Sequence, residues 1–129
     1  MLRSAPALKK IDLGGNGVGD VGGAAIAEAL PSLTTLTSLD LQDNALGDYA
    51  GVAIAKALAR NTGLLTLSLR ANLVHDATGS ALVVGLRTNE SLTELDLSWN
   101  DVNYSNHESI QALLQEQSAR WVCTFDVLF

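Results

Sequence analysis

Basic side chains are scarce in this chain. Eight Lys and Arg stand against fourteen Asp and Glu, a net charge of −6 over 129 residues. Nucleic acid and anionic membrane both demand dense positive charge, so neither is expected as the main partner. Cysteine occurs once, at Cys123, which excludes an intramolecular disulfide and points to a reducing compartment. No stretch approaches the roughly 20 apolar residues of a membrane span. The opening Met1-Leu2-Arg3-Ser4-Ala5 has an Arg and no acid, as a mitochondrial presequence would. A removable leader would, however, overlap a pattern that already starts at Leu8, or even Leu2, so a leader is not the expected reading.

What the chain does have is a period. Asparagine stands at 16, 44, 72 and 100, and a set of apolar columns travels with it at the same spacing of 28 residues. Leu8, Leu36, Leu64 and Leu92 share one column; Ile11, Leu39, Leu67 and Leu95 the next; Leu13, Leu41, Leu69 and Leu97 a third. Beyond the asparagines come Val18, Leu46, Val74 and Val102, then Ile26, Ile54, Leu82 and Ile110, then Leu30, Leu58, Leu86 and Leu114. Fixed-period self-similarity means a stacked array with a continuous core, for which an apolar content of 47% is ample. The repeats fall at about 8–35, 36–63, 64–91 and 92–119, with 120–129 reading as a terminal strand, all in a single domain.

Each repeat opens on alternating apolar residues, such as Leu39-Asp40-Leu41, which is a strand with one buried face. A Gly/Asp-rich turn follows, then about eleven Ala-rich residues at helical spacing. Gly23, Ile26, Ala27 and Leu30 lie at i, i+3, i+4 and i+7, one helix face. Asp20, Asp48 and Asp76 recur where a carboxylate can accept the unpaired N–H groups of the first turn. Gly23, Gly51 and Gly79 are expected to let each helix sit close to the strand layer. Strands joined through helices run parallel. Strands stack about 4.8 Å apart and helices about 8–10 Å, so the array bends, strands inside and helices outside.

The rows LKKIDLGGNGV, LTSLDLQDNAL, LLTLSLRANLV and LTELDLSWNDV match L-x-x-L-x-L-x-x-N-x-L. On these four consecutive motifs, spanning residues 2 to about 118, the chain resembles the leucine-rich repeat family. Its period and full helix are similar to the ribonuclease-inhibitor-like subclass, which includes activators of small GTPases, tropomodulin caps and innate-immunity sensor domains. The resemblance implies an α/β solenoid of about four repeats plus a terminal strand, with parallel strands on the concave face and α-helices on the convex face. It also implies a scaffold for protein–protein recognition.

An asparagine amide has enough donors and acceptors to pair the turn backbone of its own repeat and of the next. Asn16, Asn44, Asn72 and Asn100 are therefore expected to form a structural ladder. On the concave face, Lys10, Ser38, Thr66 and Glu94 form one column, and Asp12, Asp40, Ser68 and Asp96 a second. Gly14, Gln42, Arg70 and Ser98 form a third. The middle column is a rail of three carboxylates, either a solvated polar face or a binding surface for a basic partner segment. Trp99 follows the fourth strand, in the column of Gly15, Asp43 and Ala71. An outward aromatic at such a rim is either a contact anchor or packs on Tyr104 or the last strand. Asp12, Asp40, Gln42, Arg70, Glu94, Asp96 and Trp99 are the candidate partner-binding residues. Tyr104 and His107 replace the recurring aspartate and glycine in the fourth repeat, either as capping changes or as a specialised site.

The sequence offers no catalytic constellation. His75 and His107 lie in non-equivalent columns, and Cys123 falls at a buried strand position. Gly14 to Gly19 superficially resembles a nucleotide-binding loop, but the repeat alignment accounts for it as a strand-to-helix turn. Neither cofactor nor metal is expected. The leading expectation is a non-enzymatic recognition or scaffolding module within a larger multi-subunit or cytoskeletal assembly. The alternative is a regulatory accessory, a GTPase activator or an enzyme inhibitor. A cytoplasmic or cytoskeletal location fits the lone cysteine. Leu2 before the first strand, and the apolar run Trp121 to Phe129 with Phe125 in the column of Leu97, read as open ends: either one segment of a longer array, or ends covered by other subunits.

Overall fold

The computed structural model describes residues 8–121 together with 127 and 128. Strand and helix alternate throughout: β1 Lys10–Asp12, α1 Gly19–Ala29, β2 Ser38–Asp40, α2 Asp48–Leu58, β3 Thr66–Ser68, α3 Asp76–Thr88, β4 Glu94–Asp96, α4 Tyr104–Trp121 and β5 Val127–Leu128. The strands form one parallel sheet in chain order, β1-β2-β3-β4-β5. Registers step by one repeat, with Ile11 opposite Leu39, Leu39 opposite Leu67 and Leu67 opposite Leu95. Each helix packs on the next, making the second layer of a short α/β solenoid.

The leucine columns are the core. Leu36, Leu64, Leu92, Leu41, Leu69, Ile54, Leu82, Ile110 and Leu58 are buried, none more than 1% exposed. Ile11, Leu13, Val18 and Ile26 of the first repeat are only partly buried, because they have a described neighbouring repeat on one side alone.

Glycine at 23, 51 and 79 does something other than admit the strand layer. A Cβ at Gly23 would stand 2.7 Å from both Ala50 Cβ and Leu46 Cδ2. At Gly51 it would collide with Thr78 Oγ1, and at Gly79 it would meet Val102 and Asn106. All of these atoms belong to the following repeat. The glycines let each helix sit close against the turn and helix of the repeat that follows.

The fourth repeat departs from the pattern at its end. α4 runs from Tyr104 to Trp121, longer than the other helices and past the expected end of the repeat at about 119. β5 comes correspondingly late. Val127 pairs with Leu95, where column arithmetic points to Cys123, and Leu128 pairs with Asp96. α3 ends at Asn89, which leaves the helix in an extended conformation. The same column holds Gln117 in α4, and a glutamine continues a helix readily. The readings placed on Leu2, Cys123, Phe125 and Phe129 lie outside the described residues.

Candidate partner-binding surface

Three polar ladders fix the turns that carry the candidate residues. In the first, Asn44 Oδ1 accepts from the backbone N–H of Asn16 at 2.9 Å and Val18 at 3.2 Å, and Asn72 Oδ1 accepts from Asn44 and Leu46. Asn100 Oδ1 accepts from Val74 N–H. Each amide nitrogen donates in turn to carbonyls of its own repeat and of the one before, as Asn72 does to Leu69, Arg70 and Leu41. The amides thus clasp the preceding repeat, whereas the sequence reading assigned them the next one. Asn44 and Asn72 are buried; Asn16 is exposed.

The second ladder was invisible to the sequence reading although its period is the same. Asn61 donates to Leu30 O, Asn89 to Leu58 O and Asn61 O, and Gln117 to Asn89 O and Leu92 O. It closes the helix-to-strand returns. The third ladder is the aspartate column, and it too crosses repeats. Asp20 Oδ1 accepts from Gly47 and Ala50 N–H, Asp48 Oδ1 from His75 and Thr78 N–H, and Asp76 Oδ1 from Asn103 N–H. Each carboxylate caps the helix of the following repeat, not its own.

On the sheet face, the rail stands in register, Asp12 beside Asp40, Asp40 beside Ser68 and Ser68 beside Asp96. One oxygen of each carboxylate is committed to a local turn. Gly14 N–H donates to Asp12 Oδ1, Gln42 N–H to Asp40 Oδ1 and Ser98 N–H to Asp96 Oδ1, at 2.9–3.0 Å. Arg70 reaches Ser98 Oγ at 3.0 Å, bridging the last two repeats of the third column. Glu94 is exposed at the start of β4. These turns aim the chain out of the sheet towards the helices.

Trp99 lies just past such a turn, beyond the end of β4 at Asp96, and 74% of its surface is exposed. Its whole column has left-handed backbone: φ is 69° at Gly15, 54° at Asp43, 55° at Ala71 and 61° at Trp99. Gly adopts this conformation freely and Asp tolerates it; a bulky side chain is an outlier there. Glycine and aspartate in one column were the signal for left-handed backbone in the sequence. The column is stitched along the array by Gly15 N–H to Gln42 O, Asp43 N–H to Arg70 O and Ala71 N–H to Ser98 O, at 2.9–3.0 Å. Tyr104, equally exposed, opens α4. Its hydrogen bond to the Glu108 carboxylate, reinforced by that charge, pushes the phenol above its usual pKa. His107, in the glycine column, is partly buried, and desolvation holds its pKa below the ordinary imidazole value.

A cleft of about 540 Å³ opens on the opposite rim, between the returns of the second and third repeats, lined by Asn61, Thr62, Leu65, Thr88, Ser91 and Thr93. Among the described residues no group of His, Cys, Asp and Glu is arranged to hold a metal ion. No helix among them is long and apolar enough to cross a membrane.

Parallel strands in chain order, one helix per strand and an amide ladder inside each turn define a repeat solenoid of the strand–helix class. The sequence profile of the Leucine Rich repeat matches residues 5–27, 32–55 and 88–105, and the chain belongs to the leucine-rich repeat family. Among solved structures it is similar to leiomodin-1 Actin-Binding Site 2 (ABS2), at 19% identity and a TM-score of 0.75, covering 94% of this chain and 70% of that one. No curated protein sequence matches it significantly.

Proposed function

We propose that this chain is a non-enzymatic protein-recognition or scaffolding module, a component of a larger assembly, of the ribonuclease-inhibitor-like subclass. Asp12, Asp40, Gln42, Arg70, Glu94, Asp96 and Trp99 form its partner-binding surface. The regular helix in every repeat supports the subclass. Trp99 carries the functional reading. A fully formed left-handed turn holds a large aromatic in solvent, at a position where Gly15 serves the first repeat without strain. Strain and exposure together disfavour such a residue unless something binds it. The partner is a protein, and a cytoskeletal one is the first to test, since the similar solved structure is an actin-binding site. The location that goes with this role is cytoplasmic, associated with the cytoskeleton.

Trp99→Gly separates function from folding. Relief of the left-handed strain, about 1–2 kcal/mol, should leave the melting temperature equal or higher. Proteins that co-purify with the intact chain under mild conditions, or filaments that co-sediment with it, should be lost from the variant. Retention of every partner by both Trp99→Gly and an Asp40→Lys variant would move the interface off this surface.

A further inference from the structure

The apolar side chains that remain exposed are unevenly placed. Val84 stands within α3, and Leu8 and Leu65 ahead of β1 and β3, whereas Val21, Tyr49, Leu73, Trp99 and Tyr104, each 60–83% exposed, all lie on the strand-to-helix turns or in the first helical turn behind them. They therefore share one rim of the solenoid. Leu73 N–H donates to Leu46 O, and Asp101 N–H to Val74 O, so successive turns stack rung on rung along that rim. Leu73 and Trp99 sit on adjoining turns, and the neighbour of Trp99 in its own column is the small Ala71.

Charge is distributed with the same polarity. Residues 15–29, 43–55, 71–86 and 99–117 contain no Lys or Arg. Asp43, Asp101 and Glu108 are exposed on this rim, where His75 stands 3.8 Å from Asp48. Lys56 and Arg87 stand in the last turns of α2 and α3, and Arg60 follows α2, all at the opposite rim. Concave-face carboxylates, by contrast, share their column neighbourhood with Lys10 and Arg70.

We infer that the strand-to-helix rim, centred on Leu73 and Trp99, docks a basic amphipathic segment of a protein partner, its apolar side chains against Leu73, Trp99 and Tyr104 and its Lys or Arg against Asp43, Asp101 and Glu108. The observation that commits the occupant is complementarity: apolar and acidic groups together, with no Lys or Arg in residues 71–86 or 99–117 and Arg70 tied to Ser98 at the strand-face edge. A hydrophilic basic segment lacks the apolar half of the match, and an acidic amphipathic one meets like charge. The inference rests on the protein-recognition role above and moves its centre from the strand face to the turns.

The test uses fluorescent 18-residue peptides of Lys and Leu, of Glu and Leu, and of Lys and Ser, titrated by anisotropy against the full chain. The Lys/Leu peptide should bind most tightly, and raising salt from 50 to 300 mM should weaken it severalfold. Trp99→Gly and Leu73→Ser should each reduce its affinity at least fivefold while circular dichroism is unchanged; Leu65→Ser, an exposed leucine on the opposite rim, should change it less than twofold. Equal binding of the Glu/Leu peptide, no binding of Lys/Leu, or loss only with Leu65→Ser overturns the rim inference. The last result leaves protein recognition standing on the opposite rim. Self-association in light scattering that Leu73→Ser abolishes would assign the rim to a second copy and overturn the basic segment. Failure of the recognition role itself reads out separately, in the co-purification experiment.

Discussion

Asn72 shows how much one side chain holds in this array. Its Oδ1 accepts from two backbone N–H groups of the second repeat, and its Nδ2 donates to three carbonyls, all in or near the core. Truncation strands several of these groups away from water. Each buried group left unpaired costs about 1–3 kcal/mol. Asn72→Ala is therefore expected to shift the denaturant midpoint well below that of Gln42→Ala, whose side chain is half-exposed. Similar midpoints for the two variants would show that water replaces the ladder without loss. The contrast with Trp99 is instructive. Both residues belong to the same kind of turn, but one satisfies the backbone and is hidden, while the other strains the backbone and is displayed. Columns of the first kind hold one residue type down the array; columns of the second kind vary.

At the scale of elements, the helices depend on their neighbours more than on themselves. Asp48 begins α2 yet caps α3. Burial pushes its pKa up, but the Thr78 hydroxyl, the N–H groups of His75 and Thr78 and the His75 ring together hold it below the usual carboxylate value. A carboxylate with a depressed folded pKa stabilises above its unfolded pKa of about 3.9, and that contribution is lost as pH falls through the folded value. Asp48→Ala should cost about 0.5–2 kcal/mol at pH 7, as loss of a helix cap does. The gap between variant and parent should close on acidification below about pH 4, when melts are compared across pH. A gap constant down to pH 2 would locate the stabilisation elsewhere. The same case shows why the sequence disclosed the elements but not their connections. Strand, turn and helix were legible because alternation and helical spacing are local. The recipient of each hydrogen bond was not, since a periodic pattern looks identical whether a side chain serves its own repeat, the one before or the one after. Asn72 serves the one before, Asp48 and Gly51 the one after, and only packing distinguishes them. The fourth helix was misjudged for a related reason: Gln117 stands in the column of Asn61 and Asn89, which lie beyond the ends of α2 and α3, yet it lies inside α4. Trp99 was legible as an exposed aromatic from its column, while its left-handed backbone and the companionship of Leu73 emerged only with the turns in place.

For the whole molecule, the polar ladders run in fixed directions. Amides clasp backwards and carboxylates cap forwards, so every internal interface has the same two halves. Joining Gly63 to Leu92 by deletion of 64–91 would therefore put Asn100 against Asn44, Asp48 against the N–H of Asn103, and Gly51 against Asn106, all pairings of a kind the intact array already makes. That shortened chain is expected to fold and melt cooperatively, at a lower temperature than its parent because one interface is gone. Removing one residue fewer, 64–90, should abolish the downstream structure, because a slip of one turns every strand side chain to the opposite face. Circular dichroism and urea melts distinguish the two, and equal stability of both deletions would contradict the ladder geometry. The consequence reaches past stability. Such a molecule changes size in whole steps: gain or loss of a complete module lengthens or shortens the displayed surface without redesign of any joint, so its reach along a partner is a digital quantity that recombination can reset in a single event.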